Sequence, residues 1–66
     1  MLAYEERTAV ELCVRVFAAE LKGAGVSIEK LRFATFCSRH ELTPGDLAIV
    51  YASARATFGE LLRTHQ

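Results

Sequence analysis

The side chains that could do chemistry in this chain are few and close together. Cys37 and His40 stand three residues apart, which puts a thiol and an imidazole on one face of a helix, and Glu41 follows directly. Such a trio has the parts of a nucleophile, its base and an orienting acid. With Cys13 and His65, the same pair would complete the two sulfur and two nitrogen donors of a tetrahedral zinc site. Neither chemistry is expected. Zinc modules present closely spaced cysteine pairs on a turn, whereas these cysteines stand alone in apolar stripes near Phe17, Phe33 and Phe36. Catalysis also needs a cleft and oxyanion donors, for which a short helical chain has little room. The thiols are therefore read as reduced, buried, small hydrophobes. The protein is expected to be non-enzymatic, without metal or cofactor.

Arg32, Arg39, Arg55 and Arg63 are the groups best suited to meeting something anionic. Arginine is also favoured at protein interfaces, because its planar fork keeps its bonding geometry when water is removed. Eight basic and eight acidic side chains cancel to a formal net charge of +0, which argues against a nucleic-acid partner, since phosphate neutralisation normally supplies the non-specific affinity. In contrast, 52% of the 66 residues are hydrophobic. So short a chain buries only ~60% of its unfolded surface. Surplus apolar surface points to a partner chain. Glu5 and Glu6 with no apolar stretch behind them argue against a secretory signal. Charges at Arg15, Glu20, Lys30, Arg32, Arg39, Asp46 and Arg55 interrupt every apolar run short of the ~18 residues of a membrane span. A cytoplasmic protein is expected.

Three helices must position these residues, at about 3–22, 27–41 and 44–64, within a single all-α domain covering 1–66. In the first, Val10, Cys13, Val14, Phe17 and Leu21 form the main apolar stripe; Leu12, Val16 and Ala19 widen it. Gly23 or Gly25 supplies the left-handed residue that stops it. The second helix starts from Ser27 as N-cap, with Val26 stapled to Leu31, and reads as covered on both sides. The third has the strongest local signals. Thr43 and Asp46 form a capping box, Pro44 falls on the first helical position, and Leu42 and Leu47 form a staple. Its stripe of Leu47, Tyr51, Ala54, Phe58 and Leu61 is expected to pack on the first helix. A second stripe of Ala48, Ala52, Ala56 and Gly59 would admit another helix at close range, so this helix is expected to be buried on both sides.

The segment Thr35 to Arg55, TFCSRHELTPGDLAIVYASAR, resembles the second half of sigma-factor region 4 and of related response-regulator domains. The matching features are a small residue at Cys37, an apolar one at Leu42, the turn from Thr43 to Leu47, and the pair Ala54 and Arg55. The resemblance implies a helix-turn-helix corner between the second and third helices. It has two departures. Glu41 replaces the usual turn glycine, and the residues that would read base edges are Ala48, Ile49 and Val50, which cannot make bidentate contacts.

The combined reading is an all-α three-helix domain with a helix-turn-helix-like corner, assembled as a homodimeric bundle. Its expected role is that of a non-catalytic adaptor or antagonist bound to a larger regulatory protein. A dimeric DNA-binding helix-turn-helix regulator is the alternative. The interaction residues are expected to be Ala48, Ile49, Ala52, Arg55 and Ala56 on the third helix, with Arg32, Phe36 and Arg39 on the second.

Overall fold

A computed structural model describes residues 4–23 and 28–64. It contains α1 (Tyr4–Leu21), α2 (Ile28–Arg39) and α3 (Pro44–Thr64), with no strand among the described residues. The expected Ser27 cap and the Val26 staple lie outside them, as does His65.

The start of α3 is held as its sequence requires. The Thr43 backbone N–H donates to Asp46 Oδ2 at 3.0 Å, and the Asp46 N–H donates to Thr43 Oγ1 at 3.1 Å. Two donors that a helix start leaves without partners are thereby satisfied. The end of α2 is a Schellman motif: the Leu42 N–H donates to the Cys37 carbonyl at 3.0 Å and the Glu41 N–H to the Ser38 carbonyl at 3.2 Å. Glu41 takes the left-handed position, with φ of 52°. That position stops α2 at Arg39, two residues short of the expected end. Gly23, with φ of 72°, ends α1 in the expected way.

The core is small. It consists of Ala9, Val10, Cys13 and Val16 from α1, Phe33 from α2, and Val50 and Ala54 from α3. Leu42 and Leu47, the two staple residues, lie at its margin with Phe36 and Cys37. The helix with neighbours on both sides is therefore α1, not α3. It packs against α2 along one side and α3 along the other, within one chain. Its apolar residues spread over more than half its circumference, which is what serving two neighbours demands. Alanines bury little area each, so the small stripe of α3 offers weak reason for a third contact.

Within α3 the inward stripe also differs from the expected one. Val50 is fully buried where Tyr51 was expected, and Tyr51 is 43% exposed. The Tyr51 ring turns sideways onto Phe33 of α2, edge to face with centroids 5.9 Å apart. Phe17 and Phe58 make the corresponding contact between α1 and α3 at 6.0 Å. Leu21, expected in the core, is 67% exposed. Nor is α2 covered on both sides: Phe33 is its one buried residue, while Ile28 and Leu31 are 65% and 62% exposed.

Candidate interaction surfaces

Of the groups that could form a catalytic or metal centre, Cys13, Cys37 and His40 lie among the described residues. Cys13 is fully buried and its thiol pKa is pushed up to about 11, chiefly by burial, with smaller contributions from Cys37 and Glu20. Cys37 is half-buried and its pKa is also raised by burial. Both shifts favour the protonated thiol, the form that neither attacks nor ligates. His40 is exposed in the turn after α2, with its ring tilted against Phe36 at a centroid distance of 4.3 Å. Both thiols are free, and no group of three or more His, Cys, Asp or Glu among the described residues could hold a metal ion.

What the fold does present is uncovered apolar surface in concave regions on both sides of α1. Between α1 and α3 lies a cleft of about 550 Å³ lined by Phe17, Glu20, Leu21, Tyr51, Arg55 and Phe58. It adjoins a second hollow where Cys13 and Val16 meet Phe33 and Ala34, with Phe17, Glu20 and Tyr51 common to both. The charge along this edge is mixed. Glu20 bonds Lys30 across the α1–α2 seam at 3.3 Å, and Arg55 stands opposite. Between α1 and α2 lies a groove of about 400 Å³ lined by Leu12, Ile28, Leu31, Arg32, Thr35, Phe36 and Arg39.

The expected interaction residues thus fall into three groups. Arg32, Phe36 and Arg39 are brought together in the α1–α2 groove, and Arg55 sits in the α1–α3 cleft. Ala48, Ile49, Ala52 and Ala56 line neither; they form an exposed strip on the outer side of α3. Gly59, below them, has open space where a Cβ would stand. Val50 belongs to the core and is withdrawn from any reading head. The sequence reading missed Leu12, Ile28, Leu31, Phe17 and Phe58 as surface elements, because apolar residues at helical spacing look the same whether a neighbour covers them or not. Their number, set against three short helices, was the available signal.

These features define a small all-α three-helix protein whose apolar side chains outrun its core. No protein family matches the chain, and no curated protein or solved structure is significantly similar to it. No helix among the described residues is long and apolar enough to cross a membrane.

Proposed function

We propose that this protein is a small non-catalytic regulatory module that acts by occupying a surface on a larger regulatory protein, as an adaptor or antagonist, and that it self-associates as a homodimer. One observation carries this reading: the apolar side chains left open among the described residues. Leu21, Ile28, Leu31, Ile49, Tyr51, Leu61 and Leu62 are all exposed, and apolar surface in that amount on so short a chain is what a partner would cover. Affinity capture from the native host with mass spectrometry, paired with light scattering on the free protein, tests the reading. A single regulator recovered in stoichiometric yield supports it. A monomer that captures nothing, or only nucleic acid that survives nuclease, defeats it.

The second reading is a dimeric helix-turn-helix DNA-binding regulator, and a specific feature favours it. Glu41 holds a left-handed conformation at the place where the resembling families have their turn glycine. The apolar outer residues Ala48 and Ile49 keep this reading second, since they offer base edges no hydrogen bonds. Tight binding to a palindromic duplex in physiological salt, abolished by Arg55→Ala, would promote it.

A further inference from the structure

The α1–α3 cleft and the α1–α2 groove differ in charge, and the difference selects a partner. In the α1–α3 cleft Glu20 lies among the lining residues with Arg55, so its rim carries both signs. In the α1–α2 groove the charged lining residues are Arg32 and Arg39 alone. They stand seven residues apart on α2, two turns along one face. Between and beside them lie the half-buried Leu12 and Phe36 and the exposed Ile28 and Leu31. Arg32 reaches its own Glu29 only at 3.9 Å, with the guanidinium open to solvent and the carboxylate half-buried. That separation is beyond a hydrogen bond, and an ion pair with its cation in water holds weakly. Arg39 has no ion pair among the described residues. Both guanidinium groups therefore remain able to bond a carboxylate.

We propose that the α1–α2 groove docks an amphipathic helix of a partner protein, with apolar residues against Leu12, Ile28, Leu31 and Phe36 and carboxylates on Arg32 and Arg39. The inference rests on the reading of the protein as an interaction module and adds which surface is used and the charge of what it receives. A helix laid in a groove anchors through residues at i, i+3 or i+4, and i+7. Two arginines at i and i+7 match a carboxylate-bearing flank two turns long. A nucleic acid would find the same two cations, but the four apolar side chains beside them would then be buried against phosphate and sugar. A second copy of this chain remains a distinguishable occupant, because self-association would raise the mass of the free protein.

The test is a fluorescence-anisotropy titration of the full chain against three labelled probes. The first is a model peptide of about 18 residues, long enough to be helical, with leucines on one face flanked by glutamates. The second is the same peptide with lysine for glutamate, and the third is a short DNA duplex. The glutamate peptide should bind at least about tenfold more tightly than the lysine peptide, a difference of about 1.4 kcal/mol, and added salt should shrink the gap. The double variant Arg32→Glu with Arg39→Glu should reverse the preference, and Leu31→Lys should weaken both peptides. These positions are exposed, and circular dichroism checks that the helices persist. Equal binding of both peptides, tighter binding of the duplex, or no binding overturns the proposal. So does a dimer in light scattering that the double variant dissociates. Binding of the glutamate peptide that survives the double variant but is lost with Arg55→Glu also overturns it, while leaving the interaction-module reading intact, since the α1–α3 cleft would then be the docking surface.

Discussion

Helices α1 and α3 have similar apolar content and opposite situations. Four residues of α1 are buried, on two sides, whereas α3, the longest helix, buries Val50 and Ala54 on one side. Both carry more than one apolar stripe. The periodicity of a helix states how many faces would profit from cover, but the number of neighbours is fixed by chain length and connectivity. With three helices and a left-handed corner after α2, one helix can be central. That place goes to α1, which buries Val10, Cys13 and Val16 beside Ala9. The contrast implies that α1 depends on packing and α3 more on its own cap.

The largest expected effect is at the centre of α1. The Cys13 thiol stays neutral in the fold until about pH 11, against an ordinary value of 9.0. Between these values the unfolded chain has lost the proton and the folded chain keeps it. Stability contributed by the buried thiol is thus complete below pH 9.0 and lost as pH rises towards about 11. Two pK units correspond to roughly 2–3 kcal/mol. Urea denaturation at several pH values should show wild type losing stability in this window more steeply than Cys13→Ala. Parallel curves for the two proteins would place the thiol in water and remove α1 from the centre.

Next comes a direct pairing of the two helices. Ala9 on α1 is fully buried and Ala52 on α3 is exposed. Leucine at Ala9 overpacks the seam, at a cost of typically ~1–3 kcal/mol. Leucine at Ala52 should change the stability of the free monomer by no more than about 0.5 kcal/mol. Thermal melts with light scattering check both. If Ala52→Leu instead dissociates a dimer, the outer strip of α3 is a chain–chain contact and the asymmetry between the helices holds only for the isolated chain.

A smaller effect is expected at Thr43. Losing an N-cap hydroxyl costs about 1 kcal/mol, and α3, with one covered side, has little packing to offset it. Thr43→Ala should lower the melting temperature, whereas Thr43→Ser should not. An unchanged melt for Thr43→Ala would mean that burial of Val50 and Ala54 alone fixes the helix start.

Legibility in the sequence followed the range of the forces involved. The α3 start was readable to the residue, because Thr43, Pro44 and Asp46 act within one turn. The three helices and the Gly23 stop were readable for the same reason. Which stripe faces inward was not: Val50 and Tyr51 are adjacent and both apolar, and the choice depends on where α1 lies. The groove that gathers Arg32, Phe36 and Arg39 with Leu12 was half legible, since the α2 residues share a face by spacing while Leu12 joins them through tertiary packing. The end of α2 was misjudged because glutamate gives no local warning of a left-handed residue.

That residue supplies the smallest and most local prediction. In the left-handed region a Cβ crowds the following carbonyl, which costs roughly 1–2 kcal/mol for most side chains and nothing for glycine. Glu41 accepts this cost because two hydrogen bonds of the Schellman motif and the packing of Leu42 against the core margin hold the corner. Glu41→Gly relieves the strain but also frees the unfolded chain, which offsets part of the gain. The net should be a stabilisation of about 0.5–1 kcal/mol, seen as a rise in the denaturation midpoint with an unchanged slope. Glu41→Ala keeps the Cβ and should leave the midpoint near wild type, which separates strain from any role of the carboxylate. The result also sharpens the contrast between α1 and α3. If the corner stores strain, relieving it firms the link that aims α3, and protection of α3 amides from hydrogen exchange should rise more than that of α1. Destabilisation by glycine would instead mean that Glu41 is held by a carboxylate contact, and that α3 owes its direction to that contact rather than to the backbone turn.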